Sequence, residues 1–248
     1  MALYEEFTKT GNWLFRWRSY IPLPLIVFGI ILVKVKSFDY LGHSRTLDFI
    51  WEIICLFVSF FGLAIRIYTV GHAPKNTCGR NTHKQIADVL NKSGLYSIMR
   101  HPLYFGNFFI GLGISMFIHL WWASLIYVLV FWLYYERIMF AEEDFLRKKF
   151  GTEFDEWAKH TPAFLPKFSN WRRPDLSFSL KTVLRREYTG FFVIIASLTF
   201  LEITGDLVTE GKPDFDLMWI VLFSGGLVTY LILRTLKKKT KILHVKGR

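Results

Sequence analysis

The chain has 248 residues, of which 52% are hydrophobic and 18% aromatic, with 25 Phe and 9 Trp, and it carries a formal net charge of +11. That apolar and aromatic excess falls in long runs, which excludes an ordinary soluble domain and leaves room for one membrane domain, residues 1–248. The positive charge hugs the ends of the apolar runs and does not interleave with stacking aromatics, so no nucleic-acid partner is expected.

Taken in chain order, six apolar spans are predicted, near 20–35, 49–69, 103–120, 121–140, 188–203 and 218–233. Each is judged against the ~20 residues that cross a hydrocarbon core. The fold class is therefore an all-α polytopic membrane protein. The first span is the weakest, being short with Pro22 and Pro24 near its start. No cleavable signal is evident ahead of it. The third and fourth spans are joined by almost nothing, so they form a tight helical hairpin, with an interfacial aromatic turn at His119–Trp122.

Basic residues set the expected orientation. The loop 71–100 carries Lys75, Arg80, Lys84, Lys92 and Arg100 against Asp88, and the tail from Lys237 onward is basic without an acid. The loop 205–216 is acidic, through Asp206, Glu210, Asp214 and Asp216. By the positive-inside rule both termini and the basic loops face the cytoplasm, although Lys34, Lys36 and Arg45 run against it. Anionic lipid is the expected partner of these loops. Cys55 lies in a span and Cys78 in a loop, with no metal-ligand spacing, so no metal is expected.

Four stretches concentrate polar residues at one membrane face. In "GLYSIMRHPLYFGN", Pro102 is placed as the first residue of a helix, and His101 at its cap, where free amides and the dipole favour an anion. Gly106 and Gly113 then share one helix face, which admits a ligand or another helix. In "YYERIMFAEEDFLRKKF", Glu142 and Glu143 stand about 100° apart, so one can face the bundle while the other faces solvent. Leu146, Phe150, Phe154 and Trp157 recur at helical spacing, which predicts an amphipathic helix on the membrane surface. Thr161-Pro162 and Pro166 end that helix and force an extended return beside His160. Arg66, in the last turns of the second span, needs an anionic partner. The loop after it is dense in donors, among them Lys75, Arg80, Thr82 and Lys84.

The order G-x-Y-x-x-x-R-H-P-x-Y-x-G, then a glycine-bearing hairpin, then E-E-x-x-L, then F-G and T-P-x-x-x-P resembles the isoprenylcysteine carboxyl methyltransferases and the wider group that includes phospholipid N-methyltransferases. The residues that carry it are Gly94, Tyr96, Arg100, His101, Pro102, Tyr104 and Gly106; Gly111 and Gly113; Glu142 and Glu143; and Phe150, Gly151, Phe154, Trp157, Thr161, Pro162 and Pro166. The resemblance covers about 62–168, expected to be a methyltransferase core, and leaves a C-terminal transmembrane pair at 188–234 without assignment.

The resemblance implies S-adenosylmethionine as methyl donor, held on the cytoplasmic side. Its binding residues would be Tyr96, Arg100, His101, Pro102, Tyr104, Gly106, Gly111, Gly113, Glu142 and Glu143, with the surface helix capping the site. Arg100 has anionic phospholipid as an alternative partner. A lipid or lipidated acceptor would enter from the bilayer and meet Arg66, Arg80 and His160. An anionic acceptor, a carboxylate or a lipid phosphate, needs an Arg or Lys to bind it, whereas an amine needs a base. Phospholipid N-methylation therefore stays open. A sterol-reductase-like NADPH enzyme and a non-catalytic lipid-binding protein are the rivals from other classes.

Overall fold

The computed structural model describes residues 2–17, 45–74, 77, 86–209, 211, 216–245 and 247–248, and gives the backbone alone at 45, 208 and 209. The predicted span at 20–35 and the donors Lys75, Arg80, Thr82 and Lys84 lie outside the described residues. Among the described residues the α-helices are α1 (Leu3–Trp17), α2 (Arg45–Gly71), α3 (Leu95–Ile98), α4 (Pro102–Met116), α5 (Trp121–Phe150), α6 (Thr152–His160), α7 (Leu180–Thr209) and α8 (Leu217–Lys239). Helices α2, α5, α7 and α8 are long and apolar enough to cross a membrane. The chain is an integral membrane protein built from helices.

Two boundaries differ from the expected ones for physical reasons. Helix α4 stops at Met116 after 15 residues, because the chain turns through His119 at φ 59° before Trp121. Fifteen residues rise only about 22 Å, so α4 is shorter than a full span. Helix α5 runs unbroken for 30 residues, past the two glutamates. It ends where Gly151 takes φ 55°, a left-handed conformation that glycine adopts at little cost. Arg147, Lys148 and Lys149 fill its last turn, at the negative end of the helix dipole. The amphipathic surface segment is thus a separate short helix, α6, anchored by the fully buried Phe154.

Helices α2 and α4 form the tightest pair. A Cβ on Gly106 would stand 2.6 Å from Arg66 Cγ and 2.7 Å from the Gly62 carbonyl oxygen, and one on Gly113 would strike Ser59 and the Cys55 carbonyl. Small residues are what let two helix backbones approach this closely in a membrane. Gly111 faces the other way and is filled by the Tyr127 hydroxyl of α5. One apolar core joins Cys55 and Leu63 of α2, Phe117, Ile194 and Leu198 of α7, and Trp219 of α8. A second, mostly aromatic, gathers Phe131, Tyr135 and Met139 of α5 with Phe164, against which Tyr104, Phe105 and Phe108 of α4 pack.

The N-terminal helix α1 lies along α5. Tyr4 hydrogen-bonds Asp144, and the Arg137 guanidinium sits 5.1 Å from the Phe7 ring. Substituting Gly113→Val should overpack the α2–α4 contact and cost about 1–3 kcal/mol. Gly225→Ala, where an added Cβ meets nothing within 4 Å, should leave the thermal midpoint of the detergent-solubilised protein unchanged or slightly raised.

Candidate functional site

The site is built where three segments meet: the start of α4, the last third of α5, and the return strap after α6. The strap is fixed by backbone bonds. The Arg100 and His101 amides donate to the Pro162 and Ala163 carbonyls at 2.8 and 3.1 Å, and the Lys167 amide donates to Ile98 at 2.9 Å. Further on, Gly94, held at φ 60°, donates to the Arg172 carbonyl, and the Arg172 amide donates to Ser97 Oγ. Trp157 Nε1 donates to the Tyr96 carbonyl, tying α6 to the same floor. The T-P-x-x-x-P stretch therefore works as a brace for the R-H-P stretch.

On that frame Arg100 meets Glu143 in a two-pronged pair, Nε to Oε1 at 2.7 Å and Nη2 to Oε2 at 3.1 Å. Its Nη1 donates to the carbonyls of Ala158 and Thr161, where α6 ends. The planar guanidinium suits such a set because its donors are fixed in a fork. His101 is buried, and its Nε2 lies 2.9 Å from Glu143 Oε1. A carboxylate only accepts, so Nε2 carries the proton. The other ring nitrogen is 3.7 Å from Glu142 Oε2. Tyr104 stacks on His101 and donates to Glu142 at 2.8 Å.

The polar contacts continue across the bundle. Asn107 donates to the Tyr135 hydroxyl at 2.9 Å, and Tyr135 packs against the Tyr104 ring. Arg66 Nη1 donates to Asn107 Oδ1 at 2.6 Å. Arg66 then forks onto Glu187 of α7, Nε to Oε2 at 2.8 Å and Nη2 to Oε1 at 2.9 Å. Polar contacts on either side of the Tyr104–Tyr135 ring contact thus connect Arg100 to Glu187 through α5, α4 and α2.

The structure brings Arg100, His101, Tyr104, Glu142 and Glu143 together. Several of the other expected residues have different neighbours or lie elsewhere. Arg100 faces Glu143 and not phospholipid. Pro102 is fully buried, and the Arg100 and His101 amides before it are taken by the strap. Gly106, Gly111 and Gly113 have their open faces filled by α2 and α5, so they serve helix packing and leave no space beside a ligand. Tyr96 contributes its carbonyl to the brace. His160 ends α6 exposed, with its carbonyl accepting from Asn170. Arg80 lies outside the described residues.

Asn107, Tyr135 and Glu187 were not foreseen. Asn107 closes the quoted stretch as a lone amide in an apolar helix, which is a usable signal. Glu187 precedes the fifth apolar run, and the demand of Arg66 for an acid could have pointed to it. Of the two glutamates, Glu143 faces inward with 19% of its side chain exposed, and Glu142 keeps 32%.

Removing the acid from the Arg100 fork should be costly. Glu143→Ala leaves a partly buried guanidinium without its counter-charge and should destabilise the fold by about 3–5 kcal/mol. Glu153→Ala, which breaks an exposed pair with Lys92, should cost at most about 1 kcal/mol. Denaturation of both variants in one detergent gives the comparison.

Comparison with known proteins adds to this geometry. The family described as phospholipid methyltransferase matches residues 53–153, from α2 to the first turn of α6. The chain is 32% identical over 146 residues to the cobalt-zinc-cadmium resistance protein CzcN of Cupriavidus metallidurans, covering 59% of this chain and 65% of that protein. It is 30% identical over 158 residues to the nickel-cobalt-cadmium resistance protein NccN of Alcaligenes xylosoxydans xylosoxydans, covering 64% and 70%. It is 26% identical over 148 residues to the protein-S-isoprenylcysteine O-methyltransferase of Saccharomyces cerevisiae, covering 60% and 61%. These matches span 61 to 70% of the relatives' own lengths. No solved structure matches the chain significantly. The chain belongs to the phospholipid methyltransferase family, which its relatives place together with the isoprenylcysteine O-methyltransferases.

Proposed function

We propose that this protein is an S-adenosylmethionine-dependent membrane methyltransferase that O-methylates the anionic head group of a lipid-type acceptor entering from the bilayer. The observation that carries the reading is the convergence of Arg100, His101, Tyr104, Glu142 and Glu143, from the segment that opens α4 and from α5, inside the family-matched region. Residues 62–168 would form the catalytic core. The cofactor side, both termini and the basic loops would face the cytoplasm, with six crossings in all when the segment at 20–35 is included.

The residues present fit such a cofactor. Glu142 is the partly exposed acid of the pair and is the one able to take an amino group or ribose hydroxyls. The faces of Tyr104 and Tyr135 supply the electron-rich surface that a sulfonium or adenine prefers. Glu143 is already saturated by Arg100 and His101, so its part is to hold those two in place. When bound, the cofactor supplies a methyl carbon on a sulfonium, open to in-line displacement. Positioning and exclusion of water then do most of the work. The aromatic cluster of Phe105, Phe108, Phe131 and Phe164 provides that dry wall.

Arg66 is the proposed partner of the acceptor's anion, with Arg80 and His160 as further candidates from the adjoining loop and the end of α6. Its pairing with Glu187 favours a second reading, in which the site is electrically neutral and the acceptor is the amine of a phospholipid. Among the described residues no three His, Cys, Asp or Glu side chains converge to hold a metal ion.

Purified protein should bind S-adenosylhomocysteine by calorimetry, and Glu142→Ala should weaken that binding at least tenfold, which corresponds to about 1.4 kcal/mol. Absence of binding in the parent protein would end this reading. Labelled-methyl transfer into a total lipid extract should yield an O-methyl ester: a carboxyl ester releases its label as methanol in mild alkali, and a phosphate ester keeps it in mild alkali and releases it in hot acid. Label that resists both treatments would instead establish N-methylation.

A further inference from the structure

We infer that Glu187 is the specificity-determining residue of the acceptor end: its carboxylate occupies Arg66 as an acceptor's anion would, and anionic acceptors bind by taking its place. The inference rests on the reading of Arg66 as the acceptor's partner. Arg66 lies inside the family-matched residues 53–153, whereas Glu187 sits on α7, beyond them. A helix outside the matched region thus supplies the acid for a guanidinium within it.

The contact has the form of ligand recognition. Nε and Nη2 of Arg66 meet the two Glu187 oxygens side by side at 2.8 and 2.9 Å, the fork by which arginine reads a planar carboxylate. Asn107 holds Nη1 from the other side, so the guanidinium plane is set before any ligand arrives. Glu187 is 4% exposed while Arg66 keeps 18% of its side-chain surface.

Charge arithmetic gives the consequence. Arg66 and Glu187 together are neutral, and adding an acceptor carboxylate or phosphate leaves one uncompensated negative charge in apolar surroundings. Such a charge is expensive. An anionic head group therefore gains the fork only when Glu187 swings away. A neutral head group pays no such penalty, so the acid on α7 weights the site against anions that lack a strong lipid anchor.

The test uses the full chain in nanodiscs without added cofactor. The probes are a lipid-tailed carboxylic acid (an S-prenylated cysteine), a lipid phosphate monoester, and the methyl ester of each. Glu187→Gln should tighten binding of the acids about tenfold and leave the esters within twofold. A larger effect on the carboxylate or on the phosphate identifies which head group the fork reads. Glu187→Asp, with its carboxylate drawn back by one methylene, should move affinity in the same direction by less, and serves if Glu187→Gln fails to fold. An acid-to-ester ratio unchanged in the folded variants overturns the inference, as does an acid that binds neither parent nor variant. Parent-like acid binding in the charge-reversed pair Arg66→Glu with Glu187→Arg also overturns it, because that outcome marks a purely structural ion pair. S-adenosylhomocysteine binding by the parent is measured alongside. Its absence sinks the methyltransferase reading whatever the acid-to-ester ratio shows.

Discussion

A guanidinium at the mouth of an apolar bundle has to be satisfied on every side, and the Arg100 fork meets that demand with one carboxylate and two carbonyls. Each partner comes from a different place: Glu143 from the last third of α5, Ala158 from the last turns of α6, and Thr161 from the strap. Three segments are thereby fixed by one planar group. The desolvation of such a pair is only offset when its geometry is good and its remaining hydrogen bonds are made. The site is rigid because any loosening of one partner exposes the others.

The same logic operates at Arg66, with a different outcome for the fold. Its acid comes from a residue 121 positions away, and that pairing ties α7 to the α2–α4 core. Apolar contacts among Leu63, Ile194, Leu198 and Trp219 hold the C-terminal helices against the rest. Those helices are thus part of the structural unit that carries the polar chain, and Ser179 and Arg248 donate to the Gly71 carbonyl at the end of α2.

Much of this could be read from the residues in order. The helix start at Pro102, the glutamates on one helix and the extended return at Thr161-Pro162 all follow from local rules, since caps, helical spacing and proline act over a few residues. What local rules cannot give is the direction a small residue faces. Gly106 and Gly113 were expected to admit either a ligand or a helix, and only the position of α2 decides that they admit a helix. Likewise Arg66 announces that it needs an acid, but the identity of Glu187 depends on how α7 packs. The length of α5 was also hidden, because its composition changes from apolar to amphipathic without any break in backbone hydrogen bonding.

That unbroken helix has one further consequence. Glu142, Glu143 and Asp144 are consecutive, and each serves a different neighbour: Tyr104, the Arg100–His101 pair, and Tyr4 with Lys148. Successive residues on a helix are turned by about 100°. Inserting or deleting a single residue between Trp121 and Glu142 would rotate all three acids together and misassign every partner at once. The spacing along α5 is therefore a reading frame, tolerant of exchanged letters and intolerant of a shifted one.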